Sequence, residues 1–315
     1  MHFFTVTTTK NLASLIAGIN QHKILHKYLE YVVICPESDL SEFSEHFSTY
    51  LDVKVKCEND ILSKDRFIQI GNEISLSLKR DQINNKRMGW YYQQSLKLSH
   101  ALMNRHPRTV MWDADSVPLS EIAFFHNNCS AGYGSLIEYQ HSYFNTIADI
   151  FNFDNPAMAY TIQFFTLTDS ESAYLEQTFD KYLKKNRYES YGEWIARILL
   201  TAVIRKNRYL LIFNQSYISE QEIVGLSNSN RNQTKQYPIQ HFRPGRCWIQ
   251  NKRRQAILKI LGYRYYTIET HYMSPKKHVD IVYFWVFLVF DILRHLVSSM
   301  FIAHTIKSRK HRRDD

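Results

Sequence analysis

The chain has 315 residues, 44% of them apolar, and a formal net charge of +9, with only 9 glycines and 7 prolines. That is enough apolar chain to bury a large core, and too little Gly, Pro or polar bias for a flexible linker or low-complexity segment. The surplus charge is confined to one end: 24 Lys/Arg stand against 25 Asp/Glu up to Phe242, and 15 against 5 from Arg243 onward. A nucleic-acid enzyme would carry cations around its catalytic groove, so a neutral body with a basic tail argues against nucleic acid and for an anionic membrane surface.

Phe3–Thr7 has the pattern of a strand that begins almost at the first residue, without a basic leader or cleavage site. The expectation is a cytoplasmic protein. Cys35, Cys57, Cys129 and Cys247 form no Cys-X-X-Cys pair, which argues against a zinc ribbon or a disulfide framework and fits a reducing compartment. Asn11–Asn20 follows as a helix, with Leu12, Leu15, Ile16 and Ile19 at helical spacing. Tyr31–Cys35 is a continuous apolar strand stopped by Pro36; Ser38–Tyr50 is predicted helical and Val53–Cys57 a strand. A long helix from about Trp90 to Asn104 leads into the apolar run at Thr109. The β-α-β-α alternation predicts a mostly parallel sheet flanked by helices, with ligands at the carboxyl ends of its strands. Further on, Gly132–Tyr139, Tyr160–Leu167 and Arg208–Phe213 are predicted strands, Glu171–Lys185 and Tyr191–Arg205 amphipathic helices, and Ser216–Gln236 a polar loop.

The most informative stretch runs Thr109-Val110-Met111-Trp112-Asp113-Ala114-Asp115-Ser116-Val117-Pro118. If the strand continues through it, Asp113 and Asp115 point the same way. Two convergent carboxylates repel unless a cation lies between them, and hard divalent ions that accept such oxygens also hold phosphates. His241, in Gln240-His241-Phe242-Arg243-Pro244-Gly245, is the best candidate for a third ligand, and a mixed oxygen and nitrogen set suits Mn²⁺ or Mg²⁺ better than Zn²⁺.

Other constellations carry two readings each. On the helix Gly89-Trp90-Tyr91-Tyr92-Gln93-Gln94-Ser95-Leu96-Lys97-Leu98, Gln93 and Lys97 share a face. They either bind a diphosphate or sugar hydroxyl, or form the wet side of an amphipathic helix. Thr7-Thr8-Thr9 could hold a base or ribose, or simply make a turn. Glu189 and Glu193, beside aromatic rings near a helix start, are either a general base with a sugar-binding partner or ordinary acidic residues of a first turn.

Together, the Gly-Trp-Tyr-X-Gln-Gln-X-X-Lys-Leu helix and the Asp113-Ala114-Asp115 motif shortly after it resemble glycosyltransferases of the GT-A fold, and within them a little-characterised bacterial family. The likeness covers roughly residues 1–245. It implies an α/β, Rossmann-like mixed sheet and a glycosyltransferase domain over 1–275, with a nucleotide-sugar half (1–119) and an acceptor half (120–275). It also implies a divalent ion held by Asp113, Asp115 and His241 on the diphosphate of a nucleotide-sugar donor, UDP-sugar by family analogy. The implied acceptor is a cell-surface glycan or lipid-linked glycan such as lipopolysaccharide or capsule.

Residues 276–315 form an apolar and basic tail. Val279–Ala303 is apolar overall, but Asp291, Arg294 and His295 interrupt it, and Lys/Arg flank both sides. The clean run is shorter than the ~20 residues a spanning helix needs. The expectation is a helical segment associated with the inner face of the cell membrane. Two other functions share parts of the pattern. A haloacid-dehalogenase-type phosphohydrolase also ends an apolar strand in Asp-X-Asp, though near the N-terminus and with a second acidic cluster. A non-catalytic membrane-surface protein could keep a degenerate transferase fold. No Gly-X-X-X-X-Gly-Lys-Ser/Thr loop is present, which excludes a P-loop enzyme.

Overall fold

The computed structural model describes residues 1–28, 30–79, 88–135, 141–148, 150–151, 159–160, 162–187, 189–206, 219–232, 237–239, 241–242, 252–267, 285–286, 288–290 and 292–293. In chain order the elements are β1 (His2–Val6), α1 (Leu12–Leu25), β2 (Glu30–Cys35), α2 (Leu40–His46), β3 (Val53–Cys57), α3 (Lys64–Ser77), α4 (Met88–Met103) and β4 (Thr109–Trp112). Then come β5 (Ser116–Pro118), β6 (Phe125–His126), β7 (Cys129–Ser130), β8 (Tyr133–Gly134), α5 (His141–Ile147), β9 (Phe164–Leu167), α6 (Asp169–Tyr182) and α7 (Tyr191–Lys206). The last are α8 (Glu220–Asn232), β10 (Tyr237–Pro238), β11 (His241–Phe242), α9 (Lys252–Ile260) and β12 (Tyr265–Thr267).

The central sheet has the order β3-β2-β1-β4-β9. Its first four strands are parallel and β9 closes the edge antiparallel to β4. Because side chains alternate across a strand, each strand feeds two cores. Phe4, Val32, Ile34 and Met111 face the layer of α3, α4 and α7, while Phe3, Tyr31, Val33, Val110 and Trp112 face α1 and α2. Both faces are covered, which is why Tyr31–Cys35 is uniformly apolar rather than alternating. The expected mostly parallel α/β sandwich is the observed one.

Differences from the expected elements have local causes. The predicted helix over Ser38–Tyr50 is a 3-10 turn (Glu37–Asp39) followed by α2 and ends early at His46. The helix α3 lies where none was predicted, capped by the Ser63 hydroxyl accepting from Arg66 N at 3.3 Å. The strand predicted from Tyr160 starts only at Phe164, because Gln163 has φ of 70°, a left-handed conformation that breaks a ladder. Only Tyr133–Gly134 of the strand predicted over Gly132–Tyr139 is described as strand. The segment predicted as a loop over Ser216–Gln236 contains α8. The strand predicted over Arg208–Phe213 lies outside the described residues.

Candidate functional site

The site is built on the carboxyl edge of β1 and β4, adjacent parallel strands in which Phe4 pairs with Met111, so Val6 ends level with Asp113. The strand β4 stops at Trp112, and residues 113–116 form a turn closed by Ser116 N donating to Asp113 O at 3.0 Å. Asp113 and Asp115 therefore lie on a turn, and the strand alternation expected from sequence does not apply to them. Two neighbours fix that turn. The buried Trp112 indole donates to Ser116 O at 2.7 Å, and Asp113 N donates to Gln163 O at 2.9 Å. The left-handed Gln163 is thus part of the support for the motif, the kind of place where backbone strain collects.

Asp113 does not face solvent alone. Lys97, 3% exposed, comes up from α4 and donates from Nζ to Asp113 Oδ1 at 2.6 Å and to Glu220 Oε1 at 2.9 Å. Gln221 Nε2 donates to Asp113 Oδ2 at 3.2 Å. Gln94 completes the set, its side-chain oxygen accepting from Glu220 N at 2.9 Å, while Gln93 Nε2 donates to Val6 O at 3.0 Å. Burial would lower the Lys97 pKa, but Asp113 and Glu220 overcome it and hold the ammonium above its ordinary value, so it stays charged. Burial raises the Glu220 carboxyl, against the pull of Lys97. The helix with Gln93, Gln94 and Lys97 therefore braces the acidic turn and the start of α8. Lys97 carries out this bracing with an ammonium paired with two carboxylates.

Glu220 and Gln221 are the residues sequence reasoning missed. The signal was present: Ser219-Glu220-Gln221-Glu222 precedes Ile223-Val224, a helix-start pattern, but the Ser-Asn-Ser-Asn run after it suggested a loop. Ser219 O accepts from Ile223 N, and the Glu222 carboxylate accepts from Tyr160 N at 3.0 Å, tying α8 to the approach to β9. A pocket lined by Tyr133, Tyr160, Phe164, Gln221, Gly225 and Asn228 opens beside this helix and shares Gln221 with the acidic turn. Gly225 allows the approach, since a Cβ there would fall 2.1 Å from the Tyr160 ring.

Thr7, Thr8 and Thr9 leave β1 at the same edge. Thr7 is buried and its N donates to Ile34 O at 2.9 Å; Thr8 is exposed; Thr9 N donates to Asp39 Oδ2 at 2.8 Å. The three hydroxyls thus sit on a braced turn one strand away from Asp113.

Two carboxylates on one turn offer hard oxygen donors, the set that Mn²⁺ or Mg²⁺ accepts. Asp113 and Asp115 carry two formal negative charges, and in this structure Lys97 donates to one oxygen of Asp113 and Gln221 to the other. The backbone of His241 belongs to the sheet β11-β12-β5, in which His241 pairs with Tyr265 and Tyr265 with Pro118. The third expected ligand is therefore carried on the same small sheet as the strand leaving Asp115; its side chain lies outside the described residues. Among the described residues the one group of three whose ligand atoms lie within 4.8 Å of one another is not the acidic turn but His2, Glu30 and His106, at the amino end of the central sheet. Its two imidazoles stack at 4.0 Å and 19°, so their lone pairs run side by side instead of converging, and no ion is assigned to it.

Glu189 and Glu193 lie in a different setting, the seam between α3 and α7. Glu193 is the fourth residue of a capping box: Ser190 N donates to Glu193 Oε2 at 3.3 Å and Glu193 N to Ser190 Oγ at 3.1 Å. Its other oxygen accepts from Arg66 Nε at 2.5 Å, and this bond, helped by the Ser190 N–H, holds the carboxyl below its ordinary value against the effect of burial. Glu189 Oε1 accepts from Arg197 Nε at 2.6 Å, and Glu73 bridges Arg66 and Arg197. Capping and ion pairing account for both carboxylates, and the structure does not bring them into the Asp113 constellation described above.

No protein-family model matches the chain, and no curated protein matches it in sequence. Solved structures to which it is similar are glycosyltransferases. Mouse xyloside xylosyltransferase 1, in its apo form, aligns at 10% identity and a TM-score of 0.44 over 87% of this chain and 99% of that one. The galactosyltransferase LgtC, in complex with donor and acceptor sugar analogues, aligns at 10% identity and 0.42 over 85% and 87%. An active-site mutant of LgtC gives 10% and 0.43 over the same shares.

Proposed function

We propose that the chain transfers a sugar from a nucleotide-sugar donor, a UDP-sugar, to a cell-surface glycan or lipid-linked acceptor. The reading rests on one observation: an acidic turn at the carboxyl edge of a parallel sheet, immobilised from below by a buried ammonium. In this reading Asp113, Asp115 and His241 hold Mn²⁺ or Mg²⁺ against the donor diphosphate. The ion, when bound, offsets negative charge that develops on the departing nucleoside diphosphate. The braced turn at Thr7–Thr9 takes the nucleoside. Lys97 keeps Asp113 in one orientation, so the carboxylate need not reorganise when charge develops. Gln93 and Gln94 hold the α4, β1 and α8 contacts that make this possible.

Equilibrium dialysis of UDP with and without Mn²⁺, followed by a screen of nucleotide sugars for Mn²⁺-dependent hydrolysis, tests the reading. Wild-type protein should bind UDP only with Mn²⁺. Asp115→Ala should lose that binding and lower turnover by roughly a hundredfold or more while the fold is kept. Metal-independent UDP binding, or release of phosphate from p-nitrophenyl phosphate with no activity on nucleotide sugars, would turn the assignment toward the phosphohydrolase.

A further inference from the structure

A short helical stretch near the end of the described chain has its polarity reversed relative to a water-facing helix. Residues 285–286, 288–290 and 292–293 are helical. Leu288 is 2% exposed and packs with Val117, Leu258, Tyr263 and Tyr266, and Ile292, one turn later, lies against the same cluster. That stripe pins the stretch to β5, β12 and α9. On the remaining circumference stand Trp285, Val286, Val289, Phe290 and Leu293, between 43% and 68% exposed. Ile260 and Leu261, just after the buried Leu258, add to the exposed apolar surface. Consecutive helical positions turn by about 100°, so Val286, Val289, Phe290 and Leu293 cover one continuous outward arc. An outward apolar arc of this kind marks an interaction surface.

We propose that this arc is the face on which the protein docks to an anionic phospholipid bilayer, in the plane of the surface and not across it. Three observations select that occupant. From Arg243 onward the sequence has 15 Lys/Arg against 5 Asp/Glu, with Lys276 and Lys277 before the arc and Lys307, Arg309, Lys310, Arg312 and Arg313 after it. The exposed Lys259 and Arg264 lie on the same subdomain. Such a charge attracts anionic headgroups, whereas a second copy of the chain would bring two strongly basic tails together. An in-plane position is favoured over a span because Asp291, Arg294 and His295 interrupt the apolar run before it reaches the ~20 residues a spanning helix needs. The inward stripe also has a consequence for the site. Val117 belongs both to the docking cluster and to β5, the strand that leaves Asp115, so the bilayer is held one short strand from the acidic turn. That position suits an acceptor presented by a lipid. The docking itself does not depend on the glycosyltransferase reading.

The test is co-sedimentation of the full-length protein with phosphatidylcholine vesicles, with and without phosphatidylglycerol, at low and high salt. Wild type should sediment with the phosphatidylglycerol vesicles and less so at high salt. The double substitution Val289→Asp/Phe290→Asp should weaken this by roughly tenfold or more. Its thermal midpoint should match wild type, because Leu288 and Ile292 are untouched. Replacing Lys307, Arg309, Lys310, Arg312 and Arg313 with Gln should abolish the preference for phosphatidylglycerol. The proposal is overturned if wild type stays in the supernatant with both vesicle types, or if the Asp variant sediments as well as wild type. It is likewise overturned if sedimentation velocity shows a wild-type dimer that the Asp variant dissociates.

Discussion

Replacing Lys97 with methionine keeps the length and apolar stem of the side chain and removes only the ammonium. Two acids then lose their shared partner: Asp113 Oδ1, 2.6 Å away, and Glu220 Oε1, 2.9 Å away and fully enclosed. Removing one partner of a buried ion pair costs about 3–5 kcal/mol, because the charge left behind is uncompensated. At roughly 2 °C per kcal/mol for a chain of this size, the midpoint should fall by about 6–10 °C. The pH dependence has a definite sign. In the variant burial raises the enclosed Glu220 carboxyl without the opposing pull of Lys97, so the folded state binds more protons there and loses stability as pH rises. The deficit relative to wild type should therefore be largest at pH 8 and shrink toward pH 5.5. Adding Glu220→Gln should recover a substantial part of it at pH 8. Thermal denaturation of wild type, the single variant and the double variant at both pH values measures all of this. A single-variant midpoint within about 1 °C of wild type at both pH values would refute the electrostatic account.

Four buried histidines should make the wild-type protein acid-labile. Burial lowers His2 and His26 to about 4 and His100 to about 3, with neighbouring cations adding to it at His2 and His100, and it lowers His22 as well. Their stabilising effect is complete above the ordinary value of 6.5 and is lost as pH falls toward those lowered values. Each group contributes about 1.4 kcal/mol per pH unit in that window; urea denaturation between pH 7.5 and pH 5 should show the decline, and a flat profile would contradict it. In Gly192→Ala the new Cβ would lie 2.2 Å from Ile61 O, a backbone atom with no room to yield. The expected cost, read from a denaturation midpoint, is about 1–3 kcal/mol. Glu193→Gln should weaken the start of α7 by about 1 kcal/mol and leave turnover within a few-fold of wild type. A drop of a hundredfold with intact fold would instead identify Glu193 as the base.

The strands were legible because burial on both faces makes their sequences continuously apolar, as in Tyr31–Cys35, and because the acidic motif punctuates the last of them. The bracing of that motif was not. Lys97 was recognisable as a cation on a helix face but not as one enclosed by carboxylates, since its partner Glu220 lies 123 positions away on a helix with a polar sequence. The Asp113–Ser116 turn was hidden too: an apolar run that ends in Asp-X-Asp reads as a continuing strand, and only the hydrogen bond from Ser116 N to Asp113 O shows that it turns. Glu193 is the opposite case. Ser190-Tyr191-Gly192-Glu193 spells a capping box, so its carboxylate had a local structural use that could be read before any chemistry was considered.

The indole of Trp112 is enclosed by Phe124, Phe164 and Tyr265 and hydrogen-bonded to the main chain of the acidic turn. Its emission is therefore coupled to the conformation of that turn, and the spectrum of Trp112→Phe subtracted from that of wild type isolates this fluorophore from the others. Any ligand that moves this turn can then be followed optically in unlabelled protein, even before a substrate is in hand.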